Sequence, residues 1–351
     1  MYDLRQSLRR SPIKLGPLTS VTIFGGYAIA FDCALWLERQ GVTVRLITAP
    51  RQAAEIVQGT TTFLEMLQGS TLSFEVVEDI QSFCRQNDTT KYSPSDLAIS
   101  IGAAWIFSNE LITKHFSGHI LNSHGYALPQ NRGGAGISWQ ILRRNRLGYC
   151  LVHCLEAGVD TGAILAYEEF LYPPHCKRPS EYAAVYNKEN TEFLCTFFQK
   201  LIGASEDLTE LTQPEYLSSY WPRLNTDLHS WIDWSMNVGD LDAFISAFDE
   251  PYSGAQTVLG DQEVRLKKSH FDFHQSTFHP FQSGMVFRNN AKWICVAAPG
   301  GTLIVEDVFS GTGERITHKI RPGDRFYTPS SKLDEAKSLR VSYTANGPVT
   351  K

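Results

Sequence analysis

A strand, a helix and a second strand follow one another between residues 21 and 48 of this 351-residue chain. Apolar runs at 21–24 and 42–48 flank a stretch, 29–40, in which apolar residues recur with helical spacing, and Gly41 ends that stretch. Two strands joined by one helix pair in parallel through a right-handed crossover. This segment therefore predicts an α/β fold built on a mostly parallel sheet.

The alternation of strands and helices continues to residue 205. We predict further strands at 72–77, 97–101, 119–122 and 148–153, and further helices at 108–115, 137–143 and 179–202. Residues 206–227 are then rich in Ser, Thr, Pro and acidic residues, a composition that is typical of a linker.

Beyond residue 227 the pattern changes to short strands. After one predicted helix at 238–248, we predict strands at 256–259, 263–268, 284–287, 292–297, 302–308 and 325–328. Short strands separated by Gly and Pro are typical of a small barrel or sandwich. We thus predict an N-terminal extension (1–20), an α/β domain (21–205), a linker (206–227) and a C-terminal β-rich domain (228–351).

The composition argues against several classes of protein. Hydrophobic residues make up 42% of the chain, which is enough for folded cores, and the net charge of −5 gives no electrostatic reason to expect a nucleic-acid partner. No apolar run approaches the roughly 20 residues that cross a bilayer. The first 20 residues lack the apolar segment of a secretory signal. The seven scattered cysteines indicate reduced thiols, so we expect a cytoplasmic protein.

The glycine pair after the first strand invites comparison with dinucleotide-binding folds. The sequence there, FGGYAIAFD, does not match G-x-G-x-x-G, and the second strand ends at Thr48-Ala-Pro where such folds place an acid for the ribose. We therefore interpret the glycines as a tight turn and expect no NAD. Cys150 and Cys154 flank His153 in CLVHC, but this run reads as a buried strand, and no metal site is expected there.

Three segments between residues 97 and 162 combine polar side chains with small residues. The strand at 97–101 runs into Gly102-Ala103-Ala104, which lets a flat ligand approach the backbone at the carboxyl edge of the sheet. Asn122 and His124 are two positions apart on an extended chain and share a face, offering an amide donor and an imidazole. A glycine-bounded turn then presents the carboxylate of Asp160.

In this order the segments resemble the signature of the N10-formyltetrahydrofolate-dependent formyltransferases. The signature elements are Asn122-Ser-His124, Leu128-Pro129, Arg132-Gly133 and Asp160-Thr-Gly162. The resemblance covers residues 20–205, and a weaker likeness to the family's second domain lies in Ile232-Asp233-Trp234 and the Pro-x-x-Gly-Ala turn at 251–255. Gly134 stands where relatives often have Pro, a change in the loop that removes no catalytic group.

The resemblance implies a fold, a co-substrate and catalytic roles. The fold is a formyltransferase-type, Rossmann-like sheet with helices on both faces, followed by an OB-like barrel, and the co-substrate is N10-formyltetrahydrofolate, without a metal. Asn122 would donate a hydrogen bond to the formyl oxygen. His124 would assist that oxygen and relay the proton. Asp160 would either orient His124 or accept the proton of the amine through water, and both paths stay open.

The resemblance also implies binding residues. Those expected to contact the folate are Ile101, Gly102, Ala103, Ala104, Trp105, Ile106, Gly158 and Val159. Those expected to form a substrate loop are Leu128, Pro129, Asn131, Arg132 and Gly133. His119 and His153 lie within apolar runs and are predicted to be structural, and Trp221, Trp231 and Trp234 are predicted to pack between the domains.

The distribution of charge narrows the choice of acceptor amine. Relatives that act on methionyl-tRNA carry a basic insertion after the second strand and a positively charged barrel, whereas Arg51 is the only basic residue in 48–77 and residues 228–351 hold 13 Lys and Arg against 14 Asp and Glu. The sequence therefore favours a small acceptor, a nucleotide-linked aminodeoxysugar. Methionyl-tRNA, hydrolysis of the formyl donor, and a catalytically inactive folate-binding module are the alternatives. The hydrolases usually carry an N-terminal domain, and only 20 residues precede Val21. A homodimer is compatible with the aromatic residues of the second domain.

Overall fold

The computed structural model describes residues 13–87, 93–134, 136–274 and 277–350. The strands of the N-terminal part are β1 (Ile13–Leu15), β2 (Ser20–Gly25), β3 (Thr43–Thr48), β4 (Ile56–Gln58), β5 (Thr61–Thr62), β6 (Ser73–Val76), β7 (Asp96–Ile101), β8 (Ile120–His124), β9 (Arg132–Gly133), β10 (Leu147–Cys154), β11 (Ile164–Leu171) and β12 (Glu206–Leu208). Its helices are α1 (Tyr27–Arg39), α2 (Pro50–Ala53), α3 (Phe63–Gln68), α4 (Ile80–Gln86), α5 (Ile137–Leu142) and α6 (Pro179–Gly203), with a π-helical turn at Leu111–His115.

A seven-stranded sheet with the order β11-β10-β8-β7-β2-β3-β6 forms the centre of this part. The β2 strand pairs in parallel with β3 and β7, and β8 pairs in parallel with β7, whereas β10 and β11 are antiparallel. The parallel strands β7 and β8 end at the same edge, with Ile101 paired to Ser123. The predicted mostly parallel α/β sheet is confirmed.

Helices cover both faces of the sheet, as expected. On one face, α1 and α6 pack together and bury the apolar stripes Ile29, Ala30, Cys33, Ala34, Leu37 and Phe193, Leu194, Phe197, Phe198, Leu201. On the other face, Phe24 of β2 makes edge-to-face contacts with Phe107 and Phe116 at centroid distances of 5.4 and 5.6 Å. Buried residues of α4 join this second cluster.

The C-terminal part of the chain is built around a small antiparallel barrel. Its elements are β13 (Tyr220–Trp221), α7 (Thr226–His229), α8 (Val238–Ala247), β14 (Ala255–Leu259), β15 (Gln262–Asp272), β16 (Val286–Asn289), β17 (Ile294–Ala298), β18 (Gly301–Ser310), β19 (Phe326–Tyr327), α9 (Ser330–Ser338), β20 (Val341–Thr344) and β21 (Gly347–Thr350). Six strands form a sheet ordered β16-β17-β18-β15-β14-β19. The two edges of this sheet are joined by backbone hydrogen bonds. The Val286 N–H donates to the Asp324 carbonyl and the Phe326 N–H donates to the Gly284 carbonyl, each at 2.8 Å. The predicted β-rich second domain is thereby confirmed.

The stretches on either side of the sheet domain have regular partners. β1, within the predicted extension, pairs with β12, within the predicted linker, and β13 pairs with β9 of the sheet domain. Parts of 206–227 are thus paired as short strands with the N-terminal part of the chain. The composition of this stretch, rich in Ser and Pro, does not indicate these pairings. Residues 1–12 of the predicted extension lie outside the described residues.

One hydrophobic cluster contains residues of both parts. Ile141 of α5 and Tyr172 and Tyr182 lie in the same buried cluster as Leu241 and Ile245 of α8. A 2.7 Å hydrogen bond from the Ser138 hydroxyl to the Ala247 carbonyl crosses the boundary. Trp231 and Trp234 are buried, Trp234 stacking on Phe326, and half-buried Trp221 packs against Trp139. Within the described ranges, no helix combines the length and apolar character that a membrane span requires.

Candidate active site

The predicted catalytic residues come together beside the antiparallel pair of β8 and β10. Asn122 and His124 lie on β8, and Asp160 follows β10 in the turn at 158–162. His124 Nδ1 is 3.9 Å from Asp160 Oδ1. Asn122 Nδ2 lies 3.0 Å from Nε2 of His153, and that same nitrogen is 3.6 Å from Asp160 Oδ1. One amide, two imidazoles and one carboxylate therefore meet in a space a few ångströms across.

Asp160 is fixed by the loops around it. The Gly133 N–H donates to Asp160 Oδ2 at 2.8 Å, and Gln213 Nε2 donates to the backbone carbonyls of Asp160 and Gly162 at 2.8 and 2.7 Å. Asp160 adopts a left-handed φ of 51°, which residues other than glycine seldom adopt. Gly162 allows the turn to close, because a Cβ there would lie 1.8 Å from the Cys154 carbonyl oxygen.

The charge state of Asp160 follows from its neighbours. Burial would raise the pKa of the carboxyl group, but His124, His153 and the Gly133 N–H together hold that pKa well below its usual range. The side chain is 15% exposed, so solvent screens these interactions little. Asp160 is therefore an anion at neutral pH.

His124 is held as a neutral base. Its Nε2 lies 3.0 Å from the Asn131 carbonyl oxygen, which can only accept, so Nε2 carries the proton and Nδ1 carries the lone pair towards Asp160. Burial lowers the pKa of His124, an effect that the Asp160 charge opposes only in part. Asn131 thus serves the site through its backbone, while its side chain bonds to Ala127 and Arg143.

His153 is a member of the site, although its apolar surroundings suggested a structural role. In the antiparallel pairing of β8 and β10 it stands directly across from Asn122. Its Nδ1 donates to the Cys154 carbonyl at 2.7 Å, so its Nε2 is free to accept the amide N–H of Asn122. The pairing of Asn122 with His153 depends on strand register, which the sequence around CLVHC does not encode locally.

A cleft of about 540 Å³ opens over these residues. All eight residues predicted to contact the folate line it: Ile101, Gly102, Ala103, Ala104, Trp105, Ile106, Gly158 and Val159. Ile106 and Val159, which are 80% and 49% exposed, contribute apolar side chains to this lining. The cleft thus joins an apolar arm to the polar side chains of Asn122, His124 and Asp160.

Only one of the five predicted substrate-loop residues, Gly133, lines this cleft. Leu128 and Pro129 are buried, and the peptide bond between them is cis. Arg132, 6% exposed, donates to Gln213 at 3.1 Å and to Glu215 at 2.7 Å. The loop therefore supports the site from behind, because its charged member is turned towards the stretch at 206–227.

Other side chains complete the cleft. Tyr27, Arg51, Tyr126, Tyr186, Asn187, Tyr220, Arg223, Val341 and Ser342 line it as well. Tyr186 packs over the backbone at Gly125, where a Cβ would lie 1.9 Å from its ring, and stacks on Tyr126. In the part of the chain that the structure describes, no cluster of three or more His, Cys, Asp or Glu has the arrangement of a metal site.

Two family models match most of this chain between them. Residues 83–202 match the family model described as formyl transferase, and residues 226–319 match that of the formyl transferase C-terminal domain. The fold is similar to that of WlaRD, a sugar 3N-formyl transferase solved with dTDP and 5-N-formyl-THF, with a TM-score of 0.61 and 16% identity over 82% of this chain and 97% of that one. An N-formyltransferase from Helicobacter canadensis, solved with folinic acid and dTDP-3-aminofucose, matches with a TM-score of 0.60 and 15% identity over 82% of this chain and 99% of that one.

Among curated sequences, a methionyl-tRNA formyltransferase from Dechloromonas aromatica is 26% identical over 218 residues, which are 60% of this chain and 66% of that protein. A second, from Clostridium novyi, is 25% identical over 54% of this chain and 58% of that protein. The chain thus spans slightly less than two thirds of the length of these curated relatives.

Proposed function

Since this chain belongs to the formyl transferase family, whose N-terminal and C-terminal domains it carries, we propose that it transfers the formyl group of N10-formyltetrahydrofolate to the primary amine of a nucleotide-linked aminodeoxysugar. The family matches confirm the resemblance that residues 122–162 indicated. The observation that carries the proposed reaction is the convergence of Asn122, His124 and Asp160 at the floor of one cleft.

The proposed chemistry is acyl transfer between two nitrogens. The neutral amine attacks the formyl carbon, and a C–N bond forms while negative charge builds on the formyl oxygen. The Asn122 amide, oriented by His153, donates a hydrogen bond to that oxygen. The C–N10 bond then breaks, and N10 of the departing tetrahydrofolate takes up the proton that the amine gives up.

His124 would carry this proton. Its Nδ1 lone pair accepts the proton from the attacking amine, and the resulting imidazolium faces the Asp160 anion 3.9 Å away. A carboxylate at this distance stabilises the cation that forms during the reaction, so its effect is larger in the transition state than in the resting enzyme. The same Nδ1–H can then protonate N10, which returns His124 to its neutral form.

The folate is proposed to lie in the part of the cleft lined by Gly102, Ala103 and Ala104, which we call the folate arm. The small size of these residues leaves room for a flat ring beside the backbone. The acceptor is proposed to lie in the part of the cleft beside Arg51 and Arg223, which we call the acceptor arm. Its assignment is supported by charge and by the ligands of similar structures. Arg51 and Arg223 line the cleft and suit the diphosphate of a sugar nucleotide. The two similar solved structures contained dTDP or a dTDP-aminosugar, which supports an acceptor of this class.

Methionyl-tRNA is the second candidate acceptor, because the curated relatives carry that name. The charge of the chain opposes it. Arg51 is the only basic residue in 48–77, and residues 228–351 have a slight excess of acids. Since phosphate contacts supply much of the affinity for RNA, this surface offers a weak electrostatic footprint.

A turnover assay decides between these acceptors. Purified protein is incubated with N10-formyltetrahydrofolate and either dTDP-3-aminofucose, charged initiator tRNA or no amine, and tetrahydrofolate and formylated product are measured. We expect product with the aminosugar nucleotide alone. Equal tetrahydrofolate release without amine would indicate a hydrolase, and formylated tRNA would indicate the second candidate. His124→Ala serves as the inactive variant, with exposed His175→Ala as its matched control.

A further inference from the structure

The last ten described residues leave the barrel and return to the cleft. After α9, residues 341–350 form a hairpin of β20 and β21, which we call the C-terminal hairpin. Val341 is 6% exposed, and it lines the cleft together with Ser342. A two-stranded hairpin is marginally stable in isolation, so its position depends on what it contacts.

The turn of the C-terminal hairpin is attached to the carboxyl edge of the central sheet. The Arg51 N–H donates to the Ala345 carbonyl at 3.1 Å, and Arg51 Nε donates to the Thr344 carbonyl at 3.3 Å. Asn346 Nδ2 donates to Glu78 Oε1 at 2.6 Å. Ala345 is 8% exposed and packs with the buried Ala49 and Ala104. The hairpin is therefore held at the ends of β3 and β7.

The cleft-facing part of the C-terminal hairpin lies at the other end of β20. Val341 forms an antiparallel bridge with Arg223, and Arg223 also lines the cleft beside Tyr220. The hairpin thus connects Arg51 to Arg223, the two cations of the acceptor arm. Val341 and Ser342 add an apolar side chain and a hydroxyl group to the lining of the same cleft.

We propose that the C-terminal hairpin forms one wall of the acceptor site, with Val341 and Ser342 as specificity-determining contacts to the aminosugar nucleotide. This inference rests on the proposed function. Because the wall is fixed to Arg51 and Arg223, it narrows the acceptor arm and admits a small amine beside the catalytic group. The folate arm keeps its own lining and does not depend on these two residues.

The test fills this wall with a large side chain. Ser342→Trp is compared with Ser331→Trp, the same change at an exposed position of α9 that does not line the cleft. The assay measures kcat and KM for dTDP-3-aminofucose, and the Kd for folinic acid. We expect Ser342→Trp to raise the acceptor KM at least tenfold, with the Kd for folinic acid within twofold of wild type and Ser331→Trp unchanged.

A second variant, which lacks residues 340–351, tests the wall by removal. We expect this variant to raise the acceptor KM by a similar factor; folinic acid binding is compared for Ser342→Trp alone, because the deletion also removes Ala345, which packs on Ala104 of the folate arm. An unchanged acceptor KM in Ser342→Trp would overturn the inference, as would an equal loss of folinic acid binding. Circular dichroism and the melting temperature establish that each variant is folded.

Failure of the proposed function gives a different result. If wild type formylates another amine and not dTDP-3-aminofucose, the proposed acceptor is wrong, and the same variants measured with that amine decide the role of the hairpin. If wild type turns over dTDP-3-aminofucose and Ser342→Trp does so equally well, only the inference about the hairpin falls. Wild type that formylates no amine overturns both.

Discussion

Asn122 and His153 face each other across the antiparallel pair of β8 and β10, with Asn122 Nδ2 and His153 Nε2 3.0 Å apart. Because the Nδ1–H of His153 donates a hydrogen bond to the Cys154 carbonyl, the lone pair of Nε2 is directed at the Asn122 amide. The amide is thereby oriented before any substrate enters. A donor that is already oriented need not reorganise when charge develops on the formyl oxygen.

Replacing His153 with Leu removes the group that orients Asn122. One hydrogen bond contributes about 1 kcal/mol, so we expect kcat to fall about fivefold to tenfold while the acceptor KM stays within twofold. His153→Gln can still accept the amide N–H and is expected to recover most of the rate. A fall in kcat that is equal in the two variants would contradict the orienting role.

Replacing Asn122 itself tests the proposed oxyanion contact. Asn122→Ala removes the donor, and we expect kcat to fall about 10²–10³-fold with folinic acid binding within twofold of wild type. Asn187→Ala, a change of the same kind at another cleft position, is the matched control and should retain turnover to within fivefold. Near-wild-type turnover by Asn122→Ala would remove this residue from the mechanism.

The sequence was sufficient for the local parts of this architecture. Apolar residues at regular spacing, with glycines at the ends of the segments, predict β2, α1, β3, β7 and α6. The spacing of Asn122 and His124 predicts that they share a face of β8. By contrast, β11 was not predicted, because four of its eight residues are exposed and two are glutamates, as an edge strand allows. The places of His153 and of the C-terminal hairpin in the site were not predicted for a different reason. Each contacts a partner that is far away in sequence.

The pKa of His124 predicts the pH dependence. Burial lowers this pKa below the ordinary value and Asp160 raises it, so His124 is a neutral base at pH 7 and loses activity only when protonated at lower pH. Removing the charge with Asp160→Asn should lower the pKa of His124 further. We therefore expect the acidic limb of kcat/KM to move to lower pH while the plateau rate falls. The limb due to the substrate ammonium should stay in place, and an acidic limb that moves to higher pH would contradict the assignment.

Gly162 offers a prediction about stability. A Cβ at this position would lie 1.8 Å from the Cys154 carbonyl oxygen, so Gly162→Ala must displace backbone at the end of β10. We expect the free energy of unfolding to fall by about 1–3 kcal/mol, as for other overpacked sites. Gly203→Ala, where nothing lies within 4 Å of the added Cβ, is the control and should change it by less than about 0.5 kcal/mol. Urea denaturation measures both variants.

Gln213 links the stretch predicted as a linker to the catalytic turn. Its Nε2 donates to the carbonyls of Asp160 and Gly162, and its Oε1 accepts from Arg132, so one side chain joins three backbone or loop groups around Asp160. Gln213→Ala should let the carboxylate move relative to His124. Since small misplacements of a catalytic group are costly, we expect kcat to fall about tenfold to a hundredfold.

A structural role alone predicts a different pattern for Gln213→Ala. If Gln213 only held the fold together, folinic acid affinity and melting temperature would fall along with kcat. As a positioning residue it should lower kcat while the Kd for folinic acid and the acceptor KM stay within twofold. Exposed Gln262→Ala in the barrel is the control for loss of a glutamine side chain. The stretch at 206–227 would then contribute to catalysis, because its residue Gln213 holds the turn that carries Asp160.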